Sequence, residues 1–244
     1  MKYKTSILPD PEKDTLSVGG QRGKAGAREG MTGKNWSDDF LALAVEYGAL
    51  RFGQFTLKSG RVSPYFFNAG LFNDGAGIDR LARSYAGAIV DSGLAFDCLF
   101  GPAYKGIPLV AAVAISLHRD FGLNYPFAFD RKEAKQHGEG GLIVGAELRG
   151  RVLIVDDVIS AGTSVNGSRA LIAEQGGEVA GVAIALDRQE RGQDDRSAVD
   201  ALRADGLTVV TVACLDDLIR WAGEQNSLES HLDAMKAYRS QYGV

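Results

Sequence analysis

The stretch Val152–Ser164, VLIVDDVISAGTS, decides how the rest of the chain is read. Apolar Val152–Val155 run straight into two adjacent acids, Asp156 and Asp157, and then into a small-residue turn, Ser160–Ser164. A core strand gains nothing from two negative charges, because burying an unpaired carboxylate is costly. A ligand at the strand's end would need them, and in open α/β sheets ligands bind beyond the carboxyl ends of the strands. The turn leads into a helical pattern, so its backbone N–H groups form a natural cradle for an anion. Gly162 permits close backbone approach, and Thr163 and Ser164 add hydroxyl donors. Two carboxylates beside a phosphate nest suit a phosphorylated sugar, the acids facing the ribose hydroxyls and the nest its 5-phosphate. A metal held by the two acids alone, or a purely structural N-cap role, are the other readings of the same residues.

Working outward, strands and helices alternate. Ile78–Val90 reads as a helix and Phe96–Phe100 as a short buried strand. Pro108–His118 is helical and Tyr125–Phe129 extended. After Val152–Val155 come a helix over Ser164–Gln175 closed by Gly176-Gly177, strands over Val179–Leu186 and Leu207–Val212, and helices over Asp216–Ala222 and Leu228–Tyr238. Short apolar strands alternating with helices predict an α/β domain with a mostly parallel sheet covered on both faces. Nearer the start, Ser37 can cap a helix whose apolar positions run from Phe40 to Leu50, with Gly53 as its stop. The stretch FGQFTLKSGRVSPYFFNAGLF, residues 52–72, then reads as strands and turns with an aromatic cluster.

The bulk numbers narrow the function classes. The 244 residues allow one substantial domain. A net charge of -4 gives no whole-molecule reason to expect nucleic-acid binding. No apolar run approaches the roughly 20 residues needed to span a bilayer. Cys98 and Cys214 form no metal or redox spacing, as expected of reduced thiols in a cytoplasmic protein. Residues 1–34 are rich in Gly, Lys, Arg and Asp without apolar periodicity and are expected to be a disordered extension, with Met31 an alternative start. Gly23-Lys24 and Gly33-Lys34 are not phosphate loops: Val18 and Arg28 stand where the leading glycine is required.

With these residues in view, VLIVDDVISAGTS resembles the 5-phosphoribosyl-1-pyrophosphate (PRPP) signature of type I phosphoribosyltransferases. FTLKSGRVSPYFFNAGLF, FGPAYKGIPL, FDRKEAKQHGEGG and ALDRQERG resemble, in order, the motifs of the orotate phosphoribosyltransferase family. The likeness runs over about residues 37–243. It implies the type I phosphoribosyltransferase fold, with a small N-terminal hood mainly over 35–75 and a core over about 76–215. It also implies formation of orotidine 5′-phosphate and pyrophosphate from orotate and PRPP, with Mg²⁺, in pyrimidine nucleotide synthesis.

The resemblance assigns roles to residues whose ordinary reading is bland. Lys58, otherwise a solvated loop lysine, becomes a contact to PRPP and orotate. Phe66 and Phe67, otherwise core, line the orotate pocket. Tyr104 and Lys105, in the strand-end loop GPAYKGIP, meet pyrophosphate, the glycines letting backbone approach it. Val158, Ile159, Ser160, Ala161, Gly162, Thr163 and Ser164 wrap the 5-phosphate, and Ser160 also faces orotate; many relatives carry Thr at that position. Arg131, Lys132, Lys135 and His137 bring positive charge and, with Gly138, Gly140 and Gly141, read as a mobile basic loop suited to closing over a leaving group. In the family the 131–141 loop serves the neighbouring subunit, which implies a homodimer. Arg188 follows a strand and can hold the carboxylate of orotate in a planar fork, as a lysine cannot.

Asp156, Asp157, Lys135 and His137 are thus the expected catalytic residues, with Mg²⁺ held mainly by PRPP and water and no firm protein ligand. Two alternatives share the PRPP loop. A purine phosphoribosyltransferase is disfavoured by Phe66-Phe67 and Arg188. A PRPP-responsive regulator is disfavoured because residues 1–34 are too short for a DNA-binding module.

Overall fold

A six-stranded sheet carries the fold, and the quoted stretch supplies one of its two central strands. The structure is a computed structural model that describes residues 35–131, 142–159, 163–192 and 195–244, with the side chains of Thr163 and Ser164 not included. The expected extension over 1–34 lies outside these residues. In chain order the elements are α1 (Trp36–Glu46), β1 (Leu50–Thr56), β2 (Val62–Phe67), α2 (Gly75–Asp91), β3 (Cys98–Gly101), α3 (Gly106–Phe121), β4 (Phe127–Asp130), β5 (Ile143–Gly145), β6 (Gly150–Val155), α4 (Thr163–Glu174), β7 (Gly177–Asp187), α5 (Ala198–Ala204), β8 (Thr208–Cys214), α6 (Leu215–Gly223) and α7 (Glu229–Tyr242). The large sheet has the order β5-β4-β3-β6-β7-β8, and β1 and β2 form a separate antiparallel hairpin. Every neighbouring pair in the large sheet is parallel except β4 and β5. Among the described residues no helix is long and apolar enough to cross a membrane.

The period of two along each strand builds two cores. Leu99, Leu153, Val155, Ala183, Ala185, Val210 and Val212 point to one face and pack with α1, α2, α3, α6 and α7. Their neighbours Cys98, Phe100, Val152, Ile154, Val182, Ile184 and Val209 point to the other, with α4 and α5. Val152–Val155 are fully buried, so each contributes roughly 1.5–3 kcal/mol of burial. That makes β6 a rigid mount for whatever follows it.

The start of the domain differs from the sequence expectation. Asn35, not Ser37, caps α1: its side chain accepts the Asp38 N–H at 3.4 Å, and Ser37 Oγ donates to it at 2.7 Å. The helix stops at Glu46 because Gly48 takes a left-handed conformation (φ +64°), the usual glycine exit. Leu50, read as the helix's last apolar position, opens β1 instead. Gly53, expected as the helix stop, lies in β1 at a bulge (φ +147°). There Phe52 pairs with Tyr65 and Phe55 with Ser63, so Gly53 and Gln54 together oppose Pro64. A proline, lacking an N–H, suits such a break in the ladder.

Candidate active site

The sheet ladder does not stop where β6 does. Asp156 N–H donates to Ala183 O at 3.0 Å, and Ala185 N–H donates to Asp157 O at 3.0 Å. Both aspartates are therefore held by backbone bonds to β7. From α2, the fully buried Tyr85 donates its hydroxyl to Asp156 O at 2.8 Å. Burial, and after it the negative charges of Asp157 and Asp156, push the Tyr85 hydroxyl well above the ordinary tyrosine value, so it stays a donor. The Asp156 carboxylate accepts the Asp157 N–H at 2.9 Å, and Asp157 Oδ2 pairs with Lys105 Nζ at 2.6 Å. Asp157 keeps only 12% of its side-chain surface exposed, against 53% for Lys105. A cavity of about 430 Å³ opens beside this pair, walled by Ala69, Phe72, Ile78, Leu81 and Pro108.

Lys105 caps α3 at the end of the loop GPAYKGIP. The glycines of this loop serve an internal close approach: a Cβ on Gly101 would lie 2.2 Å from Gly106 O, and one on Gly106 would meet the Gly101 backbone at 2.8 Å. Strand β3 and helix α3 touch through their backbones, and this fixes where Lys105 starts. Asp130, at the end of β4, accepts the Ala103 N–H at 2.5 Å and ties the same loop to the next strand. The Tyr104 side chain is mainly exposed. Arg131 leaves β4 with its N–H on Leu142 O, and its Nη1 is buried without a hydrogen bond among the described residues. Strands β4 and β5, which flank residues 132–141 in the chain, pair antiparallel at the sheet edge. Lys132, Lys135 and His137 lie outside the described residues, as do Ser160, Ala161 and Gly162. Val158 and Ile159 are half-buried, and Ile159 packs against the α4-side core. Helix α4 starts at Thr163, so the last two residues of the expected phosphate turn already belong to the helix.

The other half of the site lies beyond β7. Arg188 Nε donates to Glu190 Oε1 at 2.7 Å, and its Nη2 lies 2.6 Å from the same oxygen and 3.1 Å from Ser63 Oγ. Its guanidinium carbon stands 4.4 Å from the centroid of the Tyr65 ring. Burial works against the charge on Arg188, but Tyr65, Glu190 and Tyr238 outweigh it, and its pKa is held above the ordinary guanidinium value. Between Arg188 and Glu190, Gln189 takes a left-handed conformation (φ +49°), which costs a non-glycine residue roughly 1–2 kcal/mol. Four bonds hold it there: its N–H to Asp187 Oδ1, its side-chain amide to Asp216 and from the Asp216 N–H, and its carbonyl to the Val244 N–H.

The hairpin reaches the same place. Arg61 lies 3.6 Å from Glu190 and donates to Arg191 O at 2.8 Å, so the turn bearing the exposed Lys58 is anchored at the β7 exit. Phe66 and Phe67, expected to line one pocket together, point to opposite faces of β2. Phe67 packs edge-on against Phe40 in the core at 5.7 Å, whereas Phe66 lies against Phe55 at 5.6 Å under Arg51. Adjacent strand residues cannot share a face. Sequence reading missed Tyr85, Asp130, Arg61, Ser63, Glu190 and Tyr238. Arg61 and Glu190 stood inside quoted motifs, but nothing in one sequence said that they meet.

Comparison with known proteins gives the family. The model of the phosphoribosyl transferase domain matches residues 72–215. Orotate phosphoribosyltransferase of Thioalkalivibrio sulfidiphilus is 59% identical over 212 residues, covering 86% of this chain and 100% of the relative. The chain belongs to the orotate phosphoribosyltransferase family. A crystal structure of orotate phosphoribosyltransferase from Francisella tularensis matches 84% of this chain and 99% of its own with a TM-score of 0.76 and 42% identity. Leishmania donovani UMP synthase matches 84% of this chain and 42% of its own length, with a TM-score of 0.67 and 26% identity. The fold is the type I phosphoribosyltransferase fold. The phosphoribosyl transferase match takes in Asp156, Asp157, Lys105, Arg131 and Arg188. Lys58, Ser63, Tyr65, Phe66, Phe67 and Tyr238 lie outside it.

Proposed function

We propose that this chain transfers the phosphoribosyl group of PRPP to N1 of orotate, releasing pyrophosphate and forming orotidine 5′-phosphate, a step of pyrimidine nucleotide synthesis. One observation carries the reading. A rigid strand end presents Asp156 and Asp157 beside Lys105 and ahead of a helix start, while the next strand presents a clamped arginine. The carboxylates face the ribose hydroxyls, the 158–164 turn takes the 5-phosphate, and Arg188 takes the carboxylate of orotate.

The reaction breaks the bond between the anomeric carbon and pyrophosphate, and the electron pair leaves on pyrophosphate. The deprotonated N1 of orotate then supplies the new pair. Positive charge builds on the ribose ring and negative charge on the leaving group, so catalysis is chiefly positioning and preorganised charge. Asp156 and Asp157 favour the positive ring. Lys105 exchanges its partner Asp157 for pyrophosphate when PRPP enters. Tyr104, Arg131 and Lys132 add contacts to pyrophosphate, and Lys135 or His137 assists proton transfer to it. Lys58 lies on the hairpin turn, with Phe66 and Ser160 toward the base and Phe67 packed behind them in the core.

Mg²⁺ fits the donor set. Mg²⁺ keeps water and substrate oxygens as most of its ligands and needs few from the protein. Asp156 and Asp157 are the nearby hard oxygens. When bound, the ion would neutralise charge on pyrophosphate. The reading includes a cytoplasmic homodimer whose 131–141 loop serves the partner's site. It also includes a hood mainly over 35–75 above a core over 76–215.

The test is a substrate screen with PRPP and Mg²⁺. Loss of orotate absorbance that depends on PRPP, with no turnover of adenine or hypoxanthine, is the expected result. Turnover of a purine base in place of orotate, or binding of PRPP without turnover of any base, would overturn the reading.

A further inference from the structure

Arg188 is not a free side chain waiting at a rim. Glu190 Oε1 occupies its Nε–Nη2 edge, Ser63 Oγ sits 3.1 Å from Nη2, and the Tyr65 ring lies against the guanidinium. The Tyr238 hydroxyl, which donates to Glu190, also lies within side-chain reach of Arg188. Glu190 is itself held from two sides. Tyr238 of α7 donates its hydroxyl to Oε1 at 2.9 Å, and Arg61 of the hairpin stands 3.6 Å from Oε2. Its backbone forms a bridge with Gly243. The carboxylate therefore gathers three elements far apart in sequence: the β1–β2 turn, the β7 exit and the C-terminal helix.

We propose that Glu190 is a positioning residue for the base: it locks the Arg188 fork so that the Nη1 end is presented to the carboxylate of orotate. The proposal rests on the reading of Arg188 as the orotate partner. A competing role, with Glu190 screening Arg188 from a second carboxylate, has the opposite sign. The geometry favours locking. Glu190 takes the Nε–Nη2 edge of the fork, and its own ties to Tyr238 and Arg61 hold it on that edge. Without it, a long side chain with several rotamers would have to be ordered by the substrate itself.

The test is steady-state kinetics on the full chain with orotate and PRPP each varied, for the wild type, Glu190→Gln, Tyr238→Phe, Arg188→Ala and the Arg188→Ala/Glu190→Gln double variant. Glu190→Gln is expected to raise the orotate KM about tenfold and to leave the PRPP KM within about twofold. Tyr238→Phe, which removes one hydroxyl and leaves both charges, is expected to move the orotate KM in the same direction by about two- to threefold. It keeps the question answerable if Glu190→Gln folds poorly. In the double variant the Glu190 effect is expected to vanish, since it acts through Arg188. An unchanged or lowered orotate KM in Glu190→Gln, an equal rise in the PRPP KM, or a Glu190 effect that persists in full without Arg188 would each overturn the proposal. If Arg188→Ala leaves the orotate KM unchanged, the base-site reading falls and the proposal with it. If Arg188→Ala raises it and Glu190→Gln does not, the positioning role alone falls.

Discussion

The two halves of the site are built in opposite ways. The strand-end half is local: Asp156 and Asp157 are consecutive, hang on backbone bonds to Ala183 and Ala185, and are braced from behind by Tyr85. The half around Arg188, proposed to hold the base, is assembled: Arg61, Ser63, Tyr65, Arg188, Glu190 and Tyr238 come from the hairpin, the β7 exit and the C-terminal helix, and side chains hold it together. The first half lies within the segment matched by the phosphoribosyl transferase domain, while most of the second lies outside it. A shared chemistry can be mounted on a backbone that any member of the fold has. In the proposed function, selectivity for orotate rests on side chains recruited from the fold's periphery.

The largest effect should come from the local half. Asp156→Asn with Asp157→Asn is expected to lower turnover by at least about 10²–10³-fold, the scale seen when preorganised transition-state charge is removed. The thermal midpoint should stay near that of the wild type, since the sheet ladder uses backbone atoms only. A variant that kept most of its turnover would show that the acids are structural.

Acid should loosen the support beneath this half. Helices α2 and α3 are joined by Arg119, Asp79, Asp120, Ser116 and Arg83. The Arg119 hydrogen bonds, acting against burial and helped by Ser116, lower the Asp120 carboxyl to about 2. A group depressed in the folded state contributes stability above its unfolded value, near 4, and loses it as pH falls toward the folded value. Asp120→Asn is therefore expected to cost on the order of 2 kcal/mol at pH 6, with the difference from wild type shrinking by pH 3, in urea unfolding. A difference independent of pH would sink this account.

A smaller effect is expected of Tyr85→Phe. It leaves the buried Asp156 carbonyl without its hydroxyl donor and should cost about 1–2 kcal/mol of stability. Both KM values should move together and modestly, because the strand end shifts as a unit. A selective change in the orotate KM would blur the distinction between the halves.

The same distinction explains what the sequence made legible. Val152–Val155 was read as a strand, and β6 runs Gly150–Val155; its apolar run and the acids after it are local signals. The alternation of strands and helices gave the parallel sheet for the same reason. The helical reading at the start overruns because Leu50 fits a helical period as well as a strand, and only the left-handed Gly48 separates it from the helix. Strand β5, three residues long, was missed because a strand so short carries no periodicity; its partner β4 defines it. The resemblance puts Phe66 and Phe67 in one pocket, whereas as neighbours on β2 they point to opposite faces. Arg188 was visible as a strand-end cation, but its clamp was not, since Ser63 and Tyr238 stand 125 and 50 residues from it in the chain. Glu190 is two residues away, with the left-handed Gln189 between them, and that backbone turn carries no sequence signal such as a glycine.

The claim that this chain divides ribose recognition from base recognition is tested most directly by the kinetics of Arg188→Ala, with each substrate varied in turn. Loss of a charge-assisted pair is expected to raise the orotate KM by about 10- to 100-fold and to leave the PRPP KM within about twofold. Equal rises in both values, or an unchanged orotate KM, would contradict it.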